Sequence, residues 1–369
     1  MLLFFCLVSA AHAASKERVA WGGVSFRGKA IDREKNFPFT TRGDFLSQLN
    51  DTLAERVRSL KHPDANLLVG QDFNYGRGDG LMATLVIDSE DLAVAELEGD
   101  YFGQLIIAGT VMVFDFQTAI IVASSPVGVF QPIRAGTTKP DAEYLAEHVR
   151  QAIGGLGDDA LSKLVTMPIR PKANFGRLQI QLAKMDSATC AALRVAGPDD
   201  EAKWGAYFAG RLASLLAARY GVNVLPVGEG DGTLAALTIN FSDKARLSAA
   251  GTNALERILQ MKPPTVTAVL NLHGAASYVD KKYSKPGQVA KRFGCMASVR
   301  FQPNSGTLFT KDWAYAVIRQ FSSDHVDTID ASVLRVYYRA AIDDGLKERF
   351  AQGADKDKAW LAIVATIKN

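Results

Sequence analysis

The sequence is poor in the residues on which metal sites and nucleophilic catalysis most often depend. It has five histidines and three cysteines in 369 residues. Beyond residue 15, no histidine lies within four residues of another histidine or of a cysteine, so no zinc-binding pattern occurs. These histidines are His62, His148, His273 and His325. A Gly-x-Ser-x-Gly motif is also absent, which excludes the nucleophile elbow of the α/β-hydrolases. The sequence therefore predicts no catalytic, cofactor-binding or metal-binding residue, and a protein that is not an enzyme.

An excess of charge of one sign and a long apolar run are lacking as well. The 42 basic and 39 acidic residues give a net charge of +3. No basic stripe interleaved with aromatic residues stands out, so we expect no nucleic-acid partner. The segment closest to a membrane span is 104–123, but Gln104, Asp115 and Gln117 interrupt it and its pattern is that of strands. We therefore expect no integral membrane span.

The chain begins MLLFFCLVSAAHAAS, with an apolar run over residues 2–8 and small residues at Ala11 and Ala13. This pattern predicts a secretory signal peptide over residues 1–14. A transmembrane anchor is the alternative, but the run is far shorter than the roughly 20 residues that a spanning helix needs. We expect export to the periplasm or the outer-membrane periphery. In that compartment Cys190 and Cys295 are compatible either with a disulfide or with two buried thiols.

One phrase occurs twice, as GRGDGLMATLVID at 76–88 and as GEGDGTLAALTIN at 228–240. In both copies the shared apolar residues recur every second position, so they lie on one face of a strand; they are Ala83, Leu85 and Ile87, and Ala235, Leu237 and Ile239. Asp-Gly beside an alternating strand is typical of a tight turn. The repeat therefore predicts one turn and one core-facing strand, each built twice beneath a helix.

The surrounding elements follow the same order in both halves. Apolar residues at every fourth position predict helices over 44–57, where Thr41 and Asp44 have capping-box spacing, and over 207–220. The predicted strands, which include a late hairpin in each half, are 18–26, 66–70 and 104–125 in the first half and 175–185, 222–227, 265–279 and 293–310 in the second. The expected fold is α+β, with two similar domains that each have a mostly antiparallel sheet and a helix on one face.

Helices are also expected between the halves and at the end of the chain. Residues 140–155 have a helical pattern, and 167–172 contain two prolines that are typical of a hinge. Residues 311–369 are expected to be helical, with apolar stripes that include Trp313, Val317, Ile318 and Phe321, and then Trp360, Ile363 and Ile367. The predicted divisions are a first domain at 15–137, a helical linker at 138–168, a second domain at 169–311 and C-terminal helices at 312–369.

The two loop aspartates, Asp79 and Asp231, are the only catalytic alternative. A pair of close carboxylates that share a proton is the arrangement of an aspartic protease. Glycine flanks each aspartate on both sides, whereas that chemistry uses an aspartate followed by Thr/Ser-Gly. A strand rather than a helix follows each loop, which disfavours phosphate binding. One carboxylate in each loop falls short of the 6–8 oxygens that calcium takes.

The order of elements resembles the α/β domain shared by curli-secretion (CsgG-type) lipoproteins, penicillin-binding-protein activator lipoproteins and the amino-terminal domain of TolB. In that family a hairpin reads strand, Asp-x-x-Thr-Gly, strand. Residues 111–127 are similar: Asp115 and Thr118 match the motif, and Ala119 stands where the family has glycine. The second half has Ser305-Gly306 in that turn without the aspartate. The resemblance covers roughly residues 18–130 and 175–310, and it brings no catalytic residues.

The resemblance implies binding to other envelope proteins and self-association. We expect an exported envelope protein that acts as a non-catalytic assembly or interaction module and reaches the membrane only through its partners. The alternatives are an exported hydrolase that uses Asp79 and Asp231, and a protein that binds a small ligand between its domains.

Overall fold

The computed structural model describes residues 16–70, 80–169, 177–182, 185–226, 236–241, 256–261, 263–304, 308–323, 331–348 and 358–368. The first half of the chain contains, in order, β1 (Glu17–Arg27), a short α1 (Arg33–Asn36), α2 (Phe45–Ser59), β2 (Ala65–Val69), β3 (Leu81–Leu97), β4 (Asp100–Asp115), β5 (Ile120–Gly136) and α3 (Ala142–Thr166). The second half contains β6 (Arg177–Leu182), α4 (Ser187–Ala192), α5 (Pro198–Tyr220), β7 (Asn223–Leu225), β8 (Ala236–Phe241), β9 (Glu256–Gln260), β10 (Val266–Val279), β11 (Gln288–Pro303), β12 (Phe309–Ser322), α6 (Ala331–Leu346) and α7 (Lys358–Lys368).

The two halves share one topology, as the sequence predicted. The first sheet runs β2-β1-β3-β4-β5 and the second runs β7-β6-β10-β11-β12. In each, the first two pairings are parallel and the last two are antiparallel. The helices correspond too, because α2 and α3 pack on the first sheet as α5 and α6 pack on the second. The fold is α+β with two similar domains. One helix on each sheet was expected, but α2 and α3 pack on the first sheet, and α4 and α7 contact the second sheet in addition to α5 and α6.

The repeated phrase does not mark equivalent strands. In the first half it leads into β3, and Ala83, Leu85 and Ile87 are buried with helices α2 and α3, as predicted. By its pairings, the counterpart of β3 in the second sheet is β10. The second phrase leads instead into β8, whose Leu237 and Ile239 are buried in the first domain. The prediction that these residues line the second core beneath a helix is therefore wrong.

The β8–β9 hairpin belongs to the first sheet although it lies in the second half of the chain. β8 runs antiparallel to the end of β1, with Ser25 opposite Phe241, and β9 meets β5 where Ile120 faces Gln260. Asn240 Nδ2 donates hydrogen bonds to the carbonyls at the end of β1, 3.2 Å and 2.9 Å away. The hairpin thus closes the first sheet on itself and buries apolar side chains inside it.

Two further expectations about helices need correction. Residues 309–322 form strand β12 rather than a helix, whereas α6 and α7 are helical as predicted. A spacing of four residues keeps side chains on one face in a helix and also in a strand, so Val317 and Phe321 are compatible with both. The expected linker helix α3 is a core element, since Ala152 and Leu156 are fully buried against the first sheet.

Local turns show how far the motifs were diagnostic. Asp115 Oδ1 accepts hydrogen bonds from the backbone N–H groups of Gln117 (2.8 Å) and Thr118 (3.2 Å), which builds the predicted hairpin turn. Ala119 has a φ of 57°, the left-handed region that glycine adopts without strain. Helix α2 begins after Asp44, but that side chain makes no cap hydrogen bond, so the capping box is not formed.

The elements stack in layers that join the domains. One face of the first sheet carries α2 and α3, and the opposite face carries the β8–β9 hairpin at one end. At its other end that face contacts α5 and α6, which also cover the second sheet. Within the described part of the chain, no helix is long and apolar enough to cross a membrane.

Candidate functional site

The residues proposed for catalysis lie largely outside what the structure describes. Asp79 and Asp231 both fall outside the described residues, as do His325 and the predicted signal peptide. Among the residues that are described, no group of three or more histidines, cysteines, aspartates or glutamates could hold a metal ion. The candidates within the described ranges are therefore the remaining histidines and cysteines, the buried charges and the exposed surfaces.

Two of the histidines form hydrogen bonds with backbone groups of the first domain. The His62 ring is buried; Nδ1 accepts a hydrogen bond from the Asp64 N–H, which leaves Nε2 to donate to the carbonyl of Met167, 2.9 Å away. This bond ties the start of β2 to the end of α3. His148 Nδ1 lies 2.9 Å from the carbonyl of Tyr144 within α3. Both rings are thus engaged with backbone groups of the scaffold.

Asp186, His273 and Cys295 lie in one neighbourhood, yet they do not form a catalytic constellation. Directly paired residues on neighbouring strands point to the same face of a sheet. His273 is paired with Met296, so the side chain of the adjacent Cys295 points to the opposite face. The Cys295 side chain is buried in the core, and its thiol faces the backbone carbonyl of His273 at 3.7 Å. Burial raises the pKa of this thiol to about 12. A buried neutral thiol is a poor nucleophile.

Cys190 and Cys295 are present as thiols rather than as a disulfide. We expect Cys295 to resist alkylation in the folded protein at neutral pH, because a pKa of about 12 leaves roughly a thousandfold less thiolate than an unperturbed cysteine has. Mass spectrometry after brief iodoacetamide treatment checks this, with urea-unfolded protein as the control that labels fully. Labelling of Cys295 at the same rate in both states would contradict its assigned burial.

An acidic segment of β3 contains three carboxylates with separate structural roles. The Asp88 side chain accepts a hydrogen bond from Thr110 (2.6 Å), and burial raises its pKa even though the charge of Arg27 acts the other way. Glu90 accepts hydrogen bonds from the backbone N–H groups of residues 39 and 40, which holds the loop before α2; burial raises the pKa of this carboxyl too. Asp91 points to the second domain.

Asp91 and Arg339 form an ion pair between the domains, in which the arginine is buried and the Asp91 side chain is 26% exposed. Arg339 Nη2 on α6 donates to Asp91 Oδ2 on β3, and the arginine side chain is only 1% exposed. Its guanidinium also lies 5.2 Å from the ring centroid of Trp204 and 5.0 Å from that of Tyr207. Its Nε and Nη1 have no hydrogen-bond partner among the described residues. Aromatic faces and one carboxylate therefore compensate this buried cation.

Other pairs extend this contact between the domains. Arg211 on α5 pairs with Asp343 on α6 and lies 3.9 Å from the ring centroid of Phe130 on β5. The Phe130 ring also meets Tyr207 edge-on, with centroids 5.8 Å apart. Near the start of α5, Asp200 accepts hydrogen bonds at both carboxylate oxygens from Arg335 Nη2 on α6, at 2.8 Å and 2.9 Å. These charged groups neutralise one another and fix the position of α5 and α6 against the first sheet.

Two exposed features remain. The first is the outer edge of β12, the last strand in the second sheet, to which no described strand pairs. The second is the end of the β10–β11 hairpin, residues 278–292, which we call the hairpin end. Tyr278, Val279 and Tyr283 are among the most exposed large apolar residues of the described chain, and lysines surround them.

Sequence reasoning missed both the buried Arg339 and the hairpin end. Nothing in the sequence around Arg339 distinguishes it from a solvent-exposed helix residue, because its burial depends on the first sheet. The hairpin end did have a signal: YVDKKYSKPGQVAKR contains five basic residues and two tyrosines. This segment corrects the expectation that the chain carries no basic stripe with aromatics. The candidate functional surfaces are thus the β12 edge and the hairpin end.

No protein-family model matches the chain, and no curated protein matches it. Three solved structures illustrate what it is similar to. The hypothetical protein CT253 from Chlamydia trachomatis is 8% identical, with 41% of this chain and 96% of that chain covered and a TM-score of 0.26. A PelC variant dodecamer from Paraburkholderia phytofirmans is 12% identical, with 41% and 90% covered and a TM-score of 0.23. A minor lipoprotein from Acinetobacter baumannii is 11% identical, with 48% and 90% covered and a TM-score of 0.22. Likeness at this level carries no argument about function, so the family resemblance remains a prediction from the sequence.

Proposed function

We propose that this chain is an exported envelope protein that acts as a non-catalytic assembly module and binds a partner along the edge of β12. The observation that carries the proposal is the length of this edge. Strand β12 pairs with β11 from Phe309 to Ser322. The other edge strands are shorter, since β2 at the edge of the first sheet has five residues and β7 at the opposite edge of the second sheet has three. A long edge strand presents backbone N–H and C=O groups to which an added strand can pair.

The side chains of β12 suit selective pairing. Lys311, Asp312 and Arg319 place charges of both signs along the strand. Charges on an edge strand discourage indiscriminate aggregation, so a partner strand needs complementary charges. Helix α6 packs on β12 and β11 and supports the strand from the core side.

The roles of the polar residues also support a module without chemistry of its own. The buried or half-buried carboxylates have structural partners: Asp88 binds Thr110 on β4, Glu90 holds the loop before α2, and Asp91 pairs with Arg339 of the other domain. Cys295, which lies near His273 and Asp186, has a buried thiol whose pKa is raised to about 12. Each of these groups is accounted for by the architecture.

Site-specific photo-crosslinking in intact cells tests the proposal. A photoreactive amino acid at Asp312 on the β12 edge is expected to give a defined adduct with an envelope protein or with a second copy. The matched control is the same amino acid at Arg58, which is exposed on α2, far from this edge in the sheet order. A lack of adducts at Asp312, or the same adducts at both positions, would count against β12 as the partner edge.

A further inference from the structure

The hairpin end holds more net positive charge than the whole chain. Five basic residues and one acidic residue between 278 and 292 give it a net charge of +4, against +3 for all 369 residues. The remainder of the protein is therefore close to neutral. The basic residues are Lys281, Lys282, Lys285, Lys291 and Arg292, and the acidic one is Asp280. Such concentration of charge in fifteen residues predicts an anionic binding partner.

The single carboxylate of the hairpin end is already neutralised. Arg292 donates to Asp280 Oδ2 from Nε at 3.0 Å and from Nη2 at 2.7 Å. Asp280 also accepts a hydrogen bond from the N–H of Lys282 and so fixes the turn. Lys281, Lys282 and Lys285 are all exposed and remain available to a ligand.

A pair of like charges adds to the field at this end of the sheet. Lys291 on β11 lies directly opposite Arg319 on β12. Like charges in directly opposed positions destabilise a strand pair. Arg319 also lies 5.5 Å from the Tyr337 ring centroid, so Lys291 is the member of this pair that adds to the charge of the hairpin end.

Exposed aromatic and apolar groups accompany the charges. Tyr278 is 54% exposed, Val279 48% and Tyr283 42%. Two of the cations lie over these rings: Lys282 Nζ is 5.3 Å from the Tyr283 centroid, and the Arg292 guanidinium is 6.0 Å from that of Tyr278. Tyrosines with an apolar body and a polar tip are suited to the boundary between lipid headgroups and acyl chains.

We propose that the hairpin end docks the protein peripherally on an anionic phospholipid surface. Lysines act as point charges that attract headgroups without fixed geometry, whereas recognition of a planar carboxylate or of a base edge favours arginine forks. The three freely exposed cations of the turn are lysines, and its one arginine is engaged by Asp280. This chemistry favours a fluid layer of phosphates over an acidic peptide or a nucleic acid. It also replaces the expectation that the membrane is reached only through partners, and it does not depend on pairing at β12.

Co-sedimentation of the full mature chain with vesicles tests the proposal. We expect binding to vesicles of equimolar phosphatidylglycerol and phosphatidylcholine, weakened by salt, and no binding to phosphatidylcholine alone. A variant with Lys281→Gln, Lys282→Gln and Lys285→Gln should bind about a hundredfold more weakly, because each lysine near an anionic surface contributes roughly a factor of five. A second variant, Tyr278→Ala with Tyr283→Ala, should bind more weakly while keeping the salt dependence.

The matched control changes the same charge elsewhere. Lys29, Lys35 and Lys61 are exposed in the first domain, and their joint replacement by glutamine should leave vesicle binding within about threefold of the wild type. All variants should keep the wild-type melting temperature, since the altered side chains are exposed. Equal loss in both lysine variants, or no binding to anionic vesicles, would overturn the proposal. Lysine-dependent binding of RNA or polyglutamate without vesicle binding would overturn the assignment to lipid.

Discussion

Arg339→Met is expected to lower the free energy of unfolding by about 1.5–3 kcal/mol, because it leaves the carboxylate of Asp91, which is 26% exposed at the domain contact, without its cation. The lost guanidinium also packs against Trp204 and Tyr207, so methionine restores only part of that contact. Urea unfolding followed by tryptophan fluorescence measures the change. The control is Arg56→Met, whose side chain is 47% exposed in its pair with Asp158 and whose loss should cost less than about 1 kcal/mol.

The second partner of this pair supplies a stringent check. Asp91→Leu together with Arg339→Met should recover most of the loss, since replacing both members of a buried ion pair by apolar groups is often close to neutral. The coupling free energy of this double-mutant cycle is then of the order of the single-mutant loss. A single Arg339→Met variant as stable as the Arg56→Met control would show that the ion pair does not join the domains.

Leu237→Ala is expected to lower the free energy of unfolding by about 2–5 kcal/mol, the range for truncating a fully buried leucine. Leu237 lies on β8 among Val86, Met112 and Phe114 of the first sheet. Hydrogen exchange should therefore accelerate most in β1 and β3 of the first domain, not in β6 and β10 of the second. Ile258→Ala on β9 is the control; that side chain is 61% exposed, so the change should stay within about 0.5 kcal/mol. Acceleration confined to the second sheet would contradict the position of β8.

Local patterns predicted the elements of both domains well. The four-residue stripes gave α2 and α5, and the alternating runs gave β1, β3, β4, β5, β10 and β11, because side-chain period reports which face of an element is buried. Asp115 and its neighbours also gave the correct turn. These features depend on residues a few positions apart, so one sequence suffices to find them.

The choice of sheet for β8 could not be predicted in the same way. Leu237, Ile239 and Phe241 alternate just as a strand of either sheet would, and strand pairing between distant segments leaves no local mark. The likeness of the two glycine phrases favoured the wrong answer, since a shared turn-and-strand pattern does not specify the neighbours of the strand. Strand β12 was missed for a related reason, because Val317 and Phe321 fit both periods.

The candidate surfaces also differ in whether they can be recognised from the sequence. The hairpin end is contiguous along the chain, so its lysines and tyrosines can be recognised in the amino-acid sequence alone. The β12 edge and the burial of Arg339 arise only when the two domains are assembled from the strands and helices that the structure describes. Which backbone edge stays open and which arginine is enclosed are properties of the whole fold.

The closure of the first sheet by a hairpin from the second half is the central claim, and a designed disulfide tests it most directly. In a Cys190→Ala, Cys295→Ala background, Ser25→Cys combined with Phe241→Cys places two thiols at directly opposed positions of β1 and β8. Opposed Cβ atoms in an antiparallel pair lie about 4.5–5.5 Å apart, close enough for a disulfide after a small shift. Mass spectrometry of mildly oxidised, folded protein should find this crosslink in most molecules, and should find little with Ser25→Cys and Asn240→Cys, whose side chains point to opposite faces. No crosslink at 25 and 241, or equal crosslinking at 25 and 240, would contradict the closure.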